Sequence, residues 1–472
     1  MKQTSHESIR QISRSMFGKL DRFDYGLLVF LIVSYAVVAM LPFAPSKYGD
    51  VVFHNEAKAL AMAIKGAGPW GSVTFARAPA PVLYYAVPYL TIPSGSADHA
   101  YWLSGLMWAF MWMAISILII RRAGELLGGP LIGKLAASLT LLSPFGVYYS
   151  YGILAEPPAY IGVVFFIYGF ARWQSGDSSS SLFSDKNRLI WLGLSLFILS
   201  RPNAILILGL ALIAAIAIRL SKSPGGRKEA KFIFANIVLA SLIVIASFTI
   251  VTALPGSWQS GNLAHVVFQG RFQYRAEPWD WREWSKANRQ GSLDHAAWVN
   301  ELNEIKRLSD ETGVPVSTLQ REWVLRDVKE HPVLTIRTAA IRLLSLHIAV
   351  VNSQNPEAFK LGPLSGRITY AAFHILVNSV TFLILLASAC FLFAERRRLA
   401  HYWPLWAPWV ALLTFHSFTY AEPRYMFPCY PGLVIMAALG LAPLLARMKR
   451  NIPTLGSAPI RAEAGAAQGI SK

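Results

Sequence analysis

Long apolar runs separated by short polar segments dominate the sequence. The clearest runs cover residues 25–41, 103–120 and 232–254. Each run is long enough to cross the ~30 Å hydrocarbon core of a bilayer as a helix. The pattern therefore predicts an all-α integral membrane protein with about ten transmembrane helices, of which the first is retained as an anchor.

The apolar runs also give the approximate bounds of the membrane helices. We place them at residues 23–43, 101–120, 131–149, 159–173, 232–254, 368–393, 403–418 and 427–445, with two more within 189–218. Residues 51–64 and 333–350 carry apolar positions at helical spacing with charged residues between them, which is typical of helices that lie on a membrane surface. We therefore expect interfacial helices beside the membrane helices.

By length, the stretch 189–218 fits either one long tilted helix or two short ones. Only two short helices keep every basic cluster on the cytoplasmic side, so we expect a break at Ser200-Arg201-Pro202-Asn203. Pro202 removes a backbone donor and disfavours helical geometry at Arg201. An irregular break at membrane depth is tolerated where it lines a polar cavity. Arg201 is therefore predicted to face such a cavity.

The formal net charge of +18 comes from basic clusters in short segments between apolar runs, such as Arg121–Arg122 and Arg396–Arg398. This distribution is the positive-inside pattern of membrane proteins, with anionic lipids as counterions, and argues against a nucleic-acid partner. Because no Asn-x-Ser/Thr acceptor is present, we favour the bacterial inner (plasma) membrane. Both termini are then cytoplasmic, and Arg337 and Arg342 are expected to reach towards lipid headgroups.

This topology divides the chain into four parts. Residues 1–254 form an N-terminal membrane module with an outer loop at 44–100, and residues 255–366 form a mainly helical periplasmic segment. Residues 367–446 form the C-terminal membrane helices, and residues 447–472 a disordered cytoplasmic tail. The two cysteines, Cys390 and Cys429, fall near opposite membrane faces, which makes a disulfide between them improbable.

Three acidic residues, Asp50, Glu156 and Glu422, come at the ends of apolar runs, and the topology puts all three on the outer side. Carboxylates in a multispanning protein are costly to desolvate and are generally paired or functional. A carboxylate whose pKa is raised by desolvation serves well as a base. Because the three carboxylates lie on the same side of the membrane, we predict a functional site at the outer face.

Short motifs containing these residues resemble the GT-C superfamily of membrane glycosyltransferases. The pieces, in chain order, are Gly49-Asp50, Pro79-Ala80-Pro81-Val82-Leu83-Tyr84-Tyr85, Ala155-Glu156-Pro157, Leu199-Ser200-Arg201-Pro202 and Glu422-Pro423-Arg424-Tyr425-Met426. They resemble protein-O-mannosyltransferases and lipid A aminoarabinose transferases in order and topology. The sequence departs from the motif lysine beside the prolines, where it has Ala78 or Ala80 with Arg77 nearby.

The resemblance implies transfer of a sugar from a polyprenyl-phosphate donor to an acceptor hydroxyl on the outer face. Asp50 then matches the catalytic base, and a single displacement with one base gives inversion. The acceptor is a glycolipid, a polysaccharide or a protein. The acceptor hydroxyl needs a base, and the departing phosphate needs cations.

Arginine side chains suit phosphate oxygens, so Arg201 and Arg424 are the predicted donor-phosphate ligands. Further candidates for substrate binding are Glu156, Glu422, Tyr425, Arg77, His54 and Glu56. Each also has a structural interpretation: Asp50 as a helix cap, His54 and Glu56 as a solvated helix face, and the Glu422–Arg424 pair as a turn. His416, on an apolar run, is expected to be a hydrogen-bonded core histidine.

No cofactor is required by the motifs, and a divalent metal held by Asp50, Glu156 and Glu422 stays open as an alternative. Two other functions also stay open. A transporter or flippase of a lipid-linked sugar would show paired halves and charges at the membrane midplane, whereas here the charges lie at one face. A non-catalytic subunit of a cell-envelope complex would use the segment 255–366 to bind its partner.

Overall fold

The computed structural model describes residues 20–40, 51–75, 78–143, 149–150, 152–176, 185–221, 225–253, 262–276, 292–348 and 363–451. Their regular secondary structure is entirely helical, in agreement with the predicted all-α class. Asp50 and Arg77 lie outside the described residues.

The described residues form the following α-helices, named in chain order. In the first half they are α1 (Arg22–Met40), α2 (Val51–Ile64), α3 (Pro79–Tyr89), α4 (Asp98–Gly128), α5 (Pro130–Leu142), α6 (Glu156–Gln174), α7 (Asp185–Ser200), α8 (Leu206–Leu220) and α9 (Gly226–Thr252). In the second half they are α10 (Asn262–Phe272), α11 (Leu293–Thr312), α12 (Val316–Glu330), α13 (Pro332–Ser345), α14 (Pro363–Ala394), α15 (Trp403–Phe418) and α16 (Tyr430–Asn451). Short 3₁₀ segments occur at Trp70–Ser72, Pro202–Ile205, Arg396–Tyr402 and Pro423–Cys429.

Several of these helices are long and apolar enough to cross a membrane. By length and composition, four described candidates are Asp98–Gly128, Pro202–Leu220, Gly226–Thr252 and Pro423–Leu445. The pair Asn378–Ala394 and Arg396–Phe418, bent by 109°, makes a fifth if it counts as one span. The protein is therefore a multi-pass membrane protein, while ten crossings stay a prediction.

The described helices pack around one main apolar core. The most extensive contact joins α6 to α7, and α16 packs against α5, α6 and α14. A second cluster forms where α2 packs on α3, with Ile153 and Ala155 beside it. A third, small cluster joins α10, α11 and α12, with Phe268, Phe272 and Ile305 at its centre. Helices α10, α11 and α12 thus have an apolar core of their own.

Gly162 and Gly193 allow α6 and α7 to approach backbone to backbone. A Cβ added at Gly162 would lie 2.7 Å from Phe197 N and 2.8 Å from Gly193 O. We expect Gly162→Ala to lower the thermal midpoint in detergent, because overpacking costs about 1–3 kcal/mol. Gly209→Ala in α8 is the matched control, since nothing lies within 4 Å of its added Cβ. Equal midpoints for the two variants would contradict this packing.

The structure corrects four sequence-based expectations. Residues 79–89 form helix α3 within the segment 44–100 that was predicted as an outer loop. Helix α4 runs on through Arg121–Arg122 rather than ending at residue 120, and Arg121 pairs with Asp21, Asp24 and Glu125.

The other two corrections concern the C-terminal half. Arg342 does not reach lipid headgroups, because it is buried and hydrogen-bonds to backbone carbonyls. Helix α16 continues to Asn451, so residues 447–451 of the predicted disordered tail are helical.

Candidate anion-binding site

Glu156 is the first residue of α6 and is 1 % exposed. Pro157 and Pro158 follow it, where proline costs nothing because the first turn of a helix leaves its N–H groups unpaired. A carboxylate at this end of a helix also interacts favourably with the helix dipole. The sequence Glu-Pro-Pro therefore starts the helix and directs one carboxylate into the protein.

The loop before Glu156 is held by Tyr85 of α3. The Tyr85 hydroxyl accepts a hydrogen bond from Leu154 N at 3.0 Å. The carbonyl oxygens of Gly152 and Leu154 lie 3.0 and 3.1 Å from the same hydroxyl. The α2–α3 unit is therefore fixed beside the start of α6, and Asp50 immediately precedes α2 in the chain.

Arg201 lies at the break that the sequence predicts. Helix α7 ends at Ser200, and Pro202 opens a 3₁₀ turn that leads into α8. The Arg201 amide still donates to Phe197 O at 2.9 Å, so the break falls directly after it. Its guanidinium reaches Glu156, with Nη2 donating to Oε1. Arg201 therefore has a charged partner at the break, while the polar cavity that it is expected to face stays a prediction.

Glu422, Arg424 and Tyr425 enter the site from the turn between α15 and α16. Arg424 forms an ion pair with Glu422, and its Nε lies 3.8 Å from Glu156 Oε1. The Arg201 and Arg424 Cζ atoms lie 4.5 and 5.5 Å from the centroid of the Tyr425 ring. The structure thus brings together Glu156, Arg201, Glu422, Arg424 and Tyr425, which we call the arginine–tyrosine cluster.

The cluster is balanced in charge but not in hydrogen bonds. Two carboxylates offset two guanidinium groups, and a guanidinium has five N–H donors. Arg201 Nε is buried and has no acceptor among the residues that the structure describes. The side chains of Arg201 and Arg424 remain 16 % and 29 % exposed, so an anion could reach them from outside. Two accessible guanidinium groups beside an aromatic ring suit a phosphate group.

His416 and Asn203 support the cluster from behind. The His416 ring centroid lies 4.5 Å from that of Tyr425. Its Nδ1 donates to Tyr420 O at 3.0 Å, so in the neutral ring Nε2 accepts from Asn203 Nδ2 at 2.8 Å. The expectation of a hydrogen-bonded core histidine is confirmed, but its place beside the site was missed. Only its closeness to Glu422 in the sequence could have indicated that place.

His54 and Glu56 are buried rather than solvated as a helix face would be. His54 lies 2.9 Å from the Tyr89 hydroxyl and 3.2 Å from Asp98 Oδ1, and it stacks on Trp102. Glu56 accepts a hydrogen bond from Thr74 at 3.1 Å. These contacts belong to the unit formed by α2, α3 and the start of α4. A role of His54 or Glu56 in substrate binding stays a prediction.

Burial of His54 predicts a pH dependence of stability. Desolvation lowers its folded-state pKa below 6.5, although Asp98 opposes the shift. The unfolded state therefore binds more protons below pH 6.5, and stability falls as the pH drops through that value. We expect the thermal midpoint of the wild type to decline more between pH 7.5 and 5.5 than that of His54→Gln. Exposed His99→Gln should keep the wild-type slope; equal slopes for all three proteins would contradict the interpretation.

The described part of the chain holds no group of three or more His, Cys, Asp or Glu side chains that could bind a metal. Glu156 and Glu422 are both engaged by arginine, which leaves them poorly suited as ligands. The proposed third ligand, Asp50, lies outside the described residues. The structure therefore offers no support for a divalent metal.

No protein-family model and no curated protein matches the chain. Among solved structures, it is similar to the Archaeoglobus fulgidus oligosaccharyltransferase. For the apo form, the TM-score is 0.45 and the identity 15 %, over 90 % of this chain and 52 % of that one. For the complex with an inhibitory peptide and a dolichol-phosphate, the values are 0.45 and 13 %, over 92 % and 52 %.

The chain thus spans about half the length of these proteins. They belong to the GT-C superfamily, whose motifs this sequence resembles. At this TM-score and identity the similarity assigns neither an activity nor a site residue to this chain. The functional proposal therefore rests on the geometry of the arginine–tyrosine cluster.

Proposed function

We propose that the protein is a membrane glycosyltransferase that moves a sugar from a polyprenyl-phosphate donor to an acceptor hydroxyl. The observation that supports this proposal is the arginine–tyrosine cluster, in which Arg201 and Arg424 lie beside Tyr425 with donors left for an anion. The acceptor is a glycolipid, a polysaccharide or a protein.

The arginines act on the leaving group. As the bond between the anomeric carbon and the phosphate oxygen breaks, negative charge grows on that oxygen. Guanidinium groups already in place stabilise this charge without reorganisation at the moment of reaction. Glu156 and Glu422 keep the two arginines oriented when no phosphate is bound. The departing polyprenyl phosphate leaves with the electron pair of the broken bond.

Asp50 is proposed as the base. The acceptor hydroxyl forms the new bond to the anomeric carbon, and its proton passes to the Asp50 carboxylate. A single in-line displacement of this kind inverts the anomeric configuration. The attachment of the α2–α3 unit to the loop before Glu156 through Tyr85 supports a place for Asp50 near the cluster. Substrate contacts by Arg77, His54 and Glu56 belong to the same proposal.

The orientation follows from the distribution of charge. With the basic clusters on the cytoplasmic side, the arginine–tyrosine cluster faces the exterior, which in a bacterial inner membrane is the periplasm. A lipid-linked donor places its phosphate at the headgroup level. Arginines at the rim of the membrane helices can then reach the phosphate while the polyprenyl chain stays in the bilayer.

The test is a transfer assay on the full chain in lipid nanodiscs. Polyprenyl phosphates carrying radiolabelled sugars are presented with extracts of glycolipid, polysaccharide and protein acceptors. The proposal predicts release of polyprenyl phosphate together with labelled product of inverted configuration. Movement of an unchanged donor across liposomes, without release of polyprenyl phosphate, would replace it with the flippase interpretation.

A further inference from the structure

A short non-helical linker at residues 419–422 connects α15 to the arginine–tyrosine cluster. Within it, Ala421 is fully buried and both of its backbone groups bond to one side chain of the outer segment. The Ala421 amide donates to Gln273 Oε1 at 2.9 Å, and Gln273 Nε2 donates to Ala421 O at 2.8 Å. Gln273 is itself 1 % exposed. The side-chain amide of Gln273 therefore bonds to the linker backbone in the way that the backbone of a neighbouring β-strand would.

Arg342 of α13 strengthens the same junction. Its Nε donates to Ser417 O at 2.8 Å, in the last turn of α15, and its Nη1 donates to Gly270 O at 2.7 Å. Carbonyls in the last turn of a helix have no partner within that helix. One buried guanidinium thus joins the end of α15 to α10.

The backbone of α10 lies directly on the linker at Gly270. A Cβ added there would lie 2.2 Å from the Thr419 carbonyl carbon and 2.4 Å from Tyr420 N, so only glycine fits. Tyr274, next to Gln273, has a φ of +66°, which is rare for a residue with a side chain. Strained backbone persists where its surroundings enforce it. The strained residue thus directly follows Gln273, whose side chain bonds to Ala421.

We propose that Gln273 is a positioning residue. By holding the linker 419–422, it fixes where the arginine–tyrosine cluster lies. Ala421 directly precedes Glu422, and Arg424 and Tyr425 follow within four residues. Fixing both backbone groups of Ala421 therefore fixes where the Glu422–Arg424 pair meets Glu156. The consequence for phosphate binding rests on the proposed function, whereas the consequence for the linker does not.

Hydrogen exchange of the full chain in nanodiscs tests the proposal, with peptides that cover residues 413–427. Gln273→Leu removes both bonds to Ala421, and we expect about 5- to 20-fold faster exchange in residues 419–425. Gln320→Leu is the matched control, because Gln320 is equally buried in the outer segment but bonds to His265. Gln273→Glu keeps an acceptor for the Ala421 amide but loses the donor to the Ala421 carbonyl, so its exchange should lie between those of the wild type and Gln273→Leu.

A second measurement separates this inference from the proposed function. Polyprenyl phosphate should bind about 10-fold more weakly to Gln273→Leu than to Gln320→Leu, at similar thermal midpoints. If the wild type does not bind polyprenyl phosphate, the proposed function fails while the exchange result still decides the role of Gln273. Equal exchange in Gln273→Leu and Gln320→Leu would overturn the inference.

Discussion

Asp50→Asn is expected to slow sugar transfer by about 10²–10⁴-fold, the usual contribution of a general base. The carboxamide occupies nearly the same space as the carboxylate but cannot accept the proton of the acceptor hydroxyl. The rate is measured as release of polyprenyl phosphate by the purified protein in nanodiscs. Expression and thermal midpoint should stay at the wild-type values.

The choice of asparagine separates catalysis from helix capping. Asp50 immediately precedes α2, where it could serve as an N-cap, and asparagine caps a helix about as well as aspartate does. A purely structural Asp50 would therefore tolerate the change. Asp310→Asn, at an exposed position of α11, controls for the loss of one negative charge. Wild-type turnover in Asp50→Asn would remove Asp50 from the mechanism.

Arg201→Lys is expected to weaken the binding of polyprenyl phosphate by about 10- to 100-fold, since a hydrogen bond to a charged group contributes about 1.5–3 kcal/mol. Lysine keeps the positive charge that compensates the buried Glu156. It loses the planar set of donors that matches phosphate oxygens. Binding is measured by competition against a fluorescent polyprenyl phosphate in nanodiscs of neutral lipid.

Arg219→Lys is the matched control for this measurement. Arg219 is exposed in the last turn of α8, the same helical segment that Arg201 precedes, but far along it from the cluster. Both variants replace an arginine by a lysine, so the total charge and the chemical change are the same in the two proteins. Equal affinities of Arg201→Lys and Arg219→Lys would mean that the phosphate is held elsewhere.

Much of the site could be predicted because its residues break local rules. Pro202 cannot continue a helix, so the end of α7 at Ser200 was foreseeable, and with it the irregular position of Arg201. Glu156 and Glu422 are carboxylates at the ends of apolar runs, where desolvation demands a partner. The charge pattern put them on one side, and the structure pairs both with arginine.

Helices that the sequence marks by a continuous apolar run or by apolar positions at helical spacing were also predicted closely. The bounds of α15 (Trp403–Phe418) and α2 (Val51–Ile64) agree with the sequence-based ones. In contrast, α3 was not predicted within the outer loop at 44–100, although Pro79 and Pro81 stand near its start. Both prolines lie in its first turn, where no backbone donor is lost. Local patterns do not distinguish a helix that begins with prolines from a proline-rich loop.

Long-range contacts account for the rest of what the sequence did not predict. Arg342 lies on an amphipathic helix and was expected at the lipid surface, but it bonds to carbonyls of α10 and α15. Those partners are about 70 residues away in the chain, at Gly270 and Ser417. Nothing in the local sequence of α13 identifies them. Likewise, the pairing of Gln273 with Ala421 depends on how the outer segment packs.

The most direct test of the central claim is a cryo-electron microscopy structure of the full chain with a non-hydrolysable polyprenyl-phosphate sugar. We predict that the phosphate contacts the guanidinium groups of Arg201 and Arg424 beside the Tyr425 ring, with the sugar directed towards Asp50. A lipid phosphate bound away from both arginines, with the Glu156–Arg201 pair undisturbed, would contradict the account and make the cluster a structural ion-pair network.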